Sequence, residues 1–167
     1  RLIKLDPFGK ILKINNEFSF HHSQEIDSKG RLFVPIWKTD ESGVEIPNRH
    51  LNGGFAILDS DLNILKTFYL GDIYEKAGLE FQLFKPKPSN DPYHLNDVEP
   101  FRNNLDKDIV LLSLRYQSTI MAYDFKNEKI LWMLQGYTSH QHDVDVLNED
   151  GSMISVFDNN VYRGLLT

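Results

Sequence analysis

The sequence has no cysteine. A disulfide framework, a thiol nucleophile, an iron–sulfur cluster and a thiolate zinc site are therefore excluded. The redox compartment stays open, because a chain without thiols persists in either. Positive charge is also scarce: 18 Lys and Arg stand against 24 Asp and Glu, for a formal charge of −6, and no basic stripe appears. That argues against a general nucleic-acid binder, since phosphate backbones are held mainly by clustered Lys and Arg. Long hydrophobic runs are missing too, and none approaches the roughly 20 residues that span a bilayer, so no membrane span is expected. There is no Gly-rich phosphate loop, no Gly-x-Ser-x-Gly elbow and no His-Glu-x-x-His helix. No cofactor is expected.

What is present is 41% hydrophobic and 12% aromatic over 167 residues, enough for one buried core. Helical periodicity is weak, and its best stretch, Ile73–Leu79, is short. Strand formers dominate instead. Ile109–Leu114, Thr119–Tyr123 and Met153–Phe157 read as buried or half-buried strands. Turn residues separate such runs at Asp6–Gly9, Asp27–Gly30, Asp59–Asp61, Phe125–Glu128 and Asn148–Gly151. The chain is expected to be all-β.

An internal repeat carries the topology. Leu2–Leu12, Phe55–Leu65 and Ile120–Leu131 each read as a strand, an Asp-initiated turn and a second strand carrying Ile-Leu. A histidine with a shared context follows each hairpin: His22 with Glu25 and Ile26, His94 with Asp97 and Val98, His142 with Asp145 and Val146. The unit is hairpin, connection, His-bearing strand, turn, strand. Four strands per unit predict β-propeller blades, here about three of them, at about 1–54, 55–118 and 119–167. An insertion at about Gly71–Pro92 ends in a Pro-rich loop over Lys85–Pro92. Equivalent positions in successive blades share one face, so the recurring histidines would line one central funnel.

Three local patterns could carry chemistry. His140-Gln141-His142-Asp143, with Asp158-Asn159-Asn160 beyond the next strand, is the strongest. Strand alternation puts His94, Asn96 and Val98 on one face, with Leu95 and Asp97 on the other. His94 and Asn96 could hold an oxyanion, or His94 could simply stabilise the exit of the insertion. Arg115 follows an apolar strand, and its guanidinium fork suits sulfate, phosphate or carboxylate, although a surface Arg is the commoner case. His140-x-His142 could begin a metal site, but the pattern is not completed. Trp132 reads as packing between blades.

His94-Leu95-Asn96, Ser113–Ser118, Lys129–Trp132, Gln141-His142-Asp143 and Phe157-Asp158-Asn159, in that order, resemble the arylsulfotransferase family, whose known members include six-bladed propellers. The likeness is fullest over Asp91–Asn160. It implies sulfuryl transfer from an aryl sulfate to a phenol without a nucleotide donor. His142 would be the nucleophile, passing through a sulfohistidine. His94 and Asn96 would contact sulfuryl or phenolic oxygens, and Arg115 would neutralise sulfuryl charge. His22 would be the earlier site histidine, with His21 as a competing alignment. Gln141 and His140 would border the substrate. The alternative is a non-catalytic propeller that binds an anionic ligand or a protein partner in the same funnel. The resemblance also implies export to the periplasm or beyond. Leu114-Arg115-Tyr116-Gln117 departs from the Ser-Arg-His-Gln pattern commoner in the family. Both ends of the chain, Arg1–Leu5 and Tyr162–Thr167, read as interior to structure. Three blades cannot close a ring without open edges, so the expectation is part of a larger ring of about 300 residues or more, its other blades coming from the same protein or another chain.

Overall fold

The computed structural model describes residues 1–38, 53–84, 91–101, 108–148 and 150–161. Its strands build four antiparallel sheets. Strands β1 (Leu2–Leu5) and β2 (Ile11–Asn15) form a hairpin. The second sheet runs from β3 (Ser19–Phe20) and β4 (Glu25–Ile26), which share one partner, through β5 (Leu32–Trp37) and β6 (Gly53–Leu58) to β7 (Ile64–Tyr69). The third is a meander of β8 (Leu95–Pro100), β9 (Ile109–Leu114), β10 (Thr119–Asp124) and β11 (Lys129–Gln135). The last is a pair, β12 (His142–Val146) and β13 (Ile154–Phe157). The all-β expectation holds.

The hairpins turn as the sequence implies. Asp6, Asp59 and Asp124 each accept two downstream backbone N–H groups on Oδ1, at 2.8–3.1 Å. Such Asx turns give the chain a hydrogen-bonded reversal before any strand pairs. The frame of the sheets, however, differs from the frame of the repeat. The hairpin at Phe55–Leu65 pairs with β5, and that at Ile120–Leu131 pairs with β9. Each hairpin thus closes the sheet before it, and the His-bearing strand opens the next. Hydrogen-bonded sheets therefore span 19–69 and 95–135, offset by two strands from units at 1–54, 55–118 and 119–167.

Three core clusters lie between these four layers. Phe33, Phe55, Ile57 and Phe68 of the second sheet meet Val98, Val110, Leu112, Leu114 and Met121 of the third. Val34, Ile36, Ala56 and Leu58, on the second sheet's other face, meet Leu2 of the first hairpin. Ile109, Leu111, Ile120 and Ala122, on the third sheet's other face, meet Val144 of β12. Burial on both faces explains why Ile109–Leu114 is apolar but for Ser113 rather than alternating. Outer strands escape this demand, and Trp132 on β11 is 40% exposed, not packed between sheets.

The insertion carries the one helix of the described residues, α1 (Leu70–Lys76), followed by a 3-10 turn over Glu80–Phe84. The helix starts three residues before the expected Ile73, directly on the end of β7, because Leu70, Ile73 and Tyr74 all reach the central core. Residues 85–90, the greater part of the expected Pro-rich loop, lie outside the described residues, as do Glu149 and Tyr162–Thr167.

Candidate functional site

The site forms where the His-bearing strands begin. His21 and His22 follow β3, His94 immediately precedes β8, and His140 and Gln141 precede His142, the first residue of β12. β9 runs antiparallel to β8, so its end lies beside the start of β8. There the chain makes a 3-10 turn over Arg115–Gln117, anchored by Arg115 N–H donating to His94 O at 3.1 Å and Tyr116 N–H to Tyr93 O at 3.1 Å. The same antiparallel logic sets the end of β13 and Asn159 beside His142.

The rings form a continuous cluster. His21 and His22 meet through their Nδ1 atoms at 2.7 Å. The His22 ring centre lies 4.9 Å from His94 and 6.2 Å from His142. Tyr116 extends the row, 4.8 Å from His94 and 6.1 Å from His140. The Arg115 guanidinium lies 5.0 Å from the Tyr116 ring centre, and its Nε is buried with no hydrogen-bond partner among the described residues.

The histidines share a backbone signature. His22, His94 and His140 have φ of 57°, 49° and 57°. Left-handed backbone costs a non-glycine residue on the order of 1–3 kcal/mol, so three cases at one site need local support. They also correct the alignment of the repeat. His22-Ser-Gln-Glu-Ile26, His94-Leu-Asn-Asp-Val98 and His140-Gln-His-Asp-Val144 are the equivalent segments. In the latter two, a β-bulge follows the histidine and the closing valine is fully buried. His142 thus corresponds to Asn96 and Gln24, not to His22 and His94. The pattern His-x-polar-acid-aliphatic is present in the sequence and is the signal that identifies this register.

The bulge between Leu95 and Asp97 also breaks the expected alternation in β8, so Leu95 and Val98 pack into the same core. Asn96, 3% exposed, donates through Nδ2 to Gln141 O at 2.7 Å, while its buried Oδ1 has no partner among the described residues. Gln141 is fully buried and donates to Thr119 O at 2.9 Å, so its side chain belongs to the framework beneath the rings. Asp97 accepts from Val98 N–H and Val144 N–H, clipping β8 to β12.

Three residues of the cluster have no role assigned to them from the sequence. Asp91 accepts from both the backbone and the ring of His94. Asn159 Nδ2 donates to His140 O at 2.7 Å and lies 3.0 Å from His142 Nδ1. Tyr116 stands where the sequence departs from the family pattern and is 36% exposed.

Electrostatics favour the neutral form of three of these imidazoles, His21, His22 and His142. Burial, then repulsion from His21, His94 and His142, brings His22 down to about 4. His21 is lowered mainly by burial. His142 is lowered by burial and by the charges of Arg115 and His94, against a bond to the His140 backbone that raises it. Neutral imidazoles beside a guanidinium provide nucleophilic and hydrogen-bonding nitrogens together with a fixed cation for an anionic group. Among the described residues, no group of three or more His, Cys, Asp or Glu is arranged to hold a metal ion, and no helix is long and apolar enough to cross a membrane.

A family model described as arylsulfotransferase (ASST) matches residues 11–163. No curated protein matches the chain.

Proposed function

Because the chain belongs to the arylsulfotransferase family, we propose that it transfers a sulfuryl group from an aryl sulfate to a phenol, with His142 as the nucleophile. The convergence of the His22, His94 and His142 rings beside Arg115 carries this reading. In the first half-reaction a lone pair of a His142 ring nitrogen forms a bond to sulfur. The sulfur–oxygen bond to the aryl group breaks, and its electron pair leaves on the phenolate. In the second, the acceptor hydroxyl gives its proton to a neighbouring neutral imidazole, and its oxygen attacks sulfur. The nitrogen–sulfur bond then breaks and its pair returns to His142. Arg115 offsets charge on the sulfuryl oxygens throughout. The layers fit a propeller in which the two sheets within 19–69 and 95–135, each four strands across, are successive blades around a funnel at the histidines.

The test is turnover of a chromogenic aryl sulfate with a phenol acceptor. His142→Ala should abolish transfer, and a sulfohistidine should be trapped on His142 by mass spectrometry. Undiminished transfer by the variant ends the nucleophile assignment. One observation favours the second reading, a non-catalytic anion-binding propeller: the Asn96 amide is turned to Gln141 rather than offered to a substrate oxygen. Anion binding without turnover or a trapped intermediate would support that reading instead.

A further inference from the structure

Asp91 has no part in the transfer scheme above, yet its carboxylate reaches His94 twice. Oδ1 accepts from the His94 backbone N–H at 2.7 Å, and Oδ2 meets the ring at Nδ1 at 2.8 Å. An ionised carboxylate only accepts hydrogen bonds. The ring must therefore bring its proton to Nδ1, and in the neutral imidazole that leaves the lone pair on Nε2. The second bond acts on the backbone, because His94 is one of the left-handed residues and its N–H is held by the same side chain. The neighbouring rings are held differently. His22 Nδ1 faces another imidazole, and His142 Nδ1 faces the Asn159 amide. Only the first leaves the tautomer open, because Asn159 Nδ2 also donates to His140 O and is therefore an N–H donor, so His142 Nδ1 accepts and its proton sits on Nε2, the reverse of His94.

We propose that Asp91 is a positioning residue that holds His94 with its proton on Nδ1 and its Nε2 lone pair free, and that fixes the left-handed backbone carrying the ring to His22 and Tyr116. This rests on the reading of the cluster as the sulfuryl-transfer site. Nε2 of His94 then meets substrate as a hydrogen-bond acceptor, suited to a phenolic hydroxyl rather than to a sulfuryl oxygen. The two oxygen types that His94 might contact are thereby separated. The sulfuryl oxygens fall to Arg115, and the hydroxyl falls to His94.

Proton–nitrogen correlation NMR of the histidine rings reads the tautomer without turnover. The wild-type protein at neutral pH should show His94 with Nδ1 protonated and Nε2 bare. Asp91→Ala should move the ring toward the Nε2–H form, and turnover should fall by about 10²-fold, the scale of a misplaced reacting group. Asp91→Asn keeps a carbonyl that can accept from Nδ1–H, so it should retain the tautomer and recover part of the rate. It also supplies the comparison if the alanine variant does not fold. A wild-type His94 protonated on Nε2 overturns the proposal, as does a tautomer unchanged in folded Asp91→Ala. Absence of transfer by the wild type would count against sulfuryl transfer while leaving the tautomer assignment standing, so the two readings fail separately.

Discussion

Asp97 offers a direct test of how the sheets are joined. Only 2% of it is exposed, and its two oxygens accept from Val98 N–H at 2.9 Å and from Val144 N–H at 2.8 Å. The second bond crosses from β8 to β12, which begins with His142, so Asp97 sets the distance between the strands that carry the site. Asp97→Ala leaves the buried Val144 N–H without its acceptor, at about 1–3 kcal/mol, and removes a second charge-assisted bond of similar worth. Relief from burying the carboxylate offsets part of this, for a net loss of about 3 kcal/mol. Asp97→Asn keeps one acceptor and should lose roughly half as much. Urea unfolding measures the global change. Hydrogen exchange at the Val144 amide measures the local one, expected to quicken by about 10²-fold in the alanine variant. Burial also raises the Asp97 carboxyl above its ordinary value near 3.8. Its contribution to stability is therefore greatest below that value and declines as pH rises through the raised one, a decline that Asp97→Asn should remove. If Asp97→Ala costs under about 0.5 kcal/mol and Val144 protection is unchanged, Asp97 does not join the sheets.

Two further outcomes follow from the same structure. A Cβ on Gly54 would lie 2.0 Å from the Phe68 carbonyl oxygen and 2.9 Å from its carbon. Gly54→Ala must therefore part β6 from β7, with a loss of about 3 kcal/mol or more visible in thermal unfolding. His22 titrates in the folded protein near 4 instead of its ordinary 6.5. The unfolded chain takes up that proton first, so the stability from this ring is complete above pH 6.5 and is lost as pH falls toward about 4. His22→Gln should flatten the fall in urea midpoint over that window, and an unchanged slope would show that the ring is not held neutral.

The strands and turns were legible because they follow local chemistry. Ile109–Leu114 is the observed β9 at both ends, and the Asp6, Asp59 and Asp124 turns close as their side chains dictate. Pairing beyond the hairpin was not legible. Nothing local tells Phe55–Leu65 whether to join the strand before it or the strand after it, and the choice is made by the shared core of Phe33, Phe55 and Phe68. The histidine register failed for a different reason. His142-Asp143-Val144-Asp145-Val146 contains the acid–aliphatic pair twice, and the polar third position of the pattern, which Val144 does not supply, selects the first together with the left-handed backbone at His140. Asp91 escaped notice because its role depends on an i to i+3 side-chain bond at the edge of an irregular segment, where neither strand nor helix periodicity applies.

The left-handed histidines also change how mutants of this site must be read. Alanine at position 22, 94 or 140 removes an imidazole but leaves a Cβ in a backbone well that alanine resists, so lost activity would mix missing chemistry with a shifted loop. Asparagine tolerates that well better and glycine occupies it freely. At these three positions the gap between the alanine and glycine variants measures the backbone's share. What the glycine variant still lacks belongs to the ring.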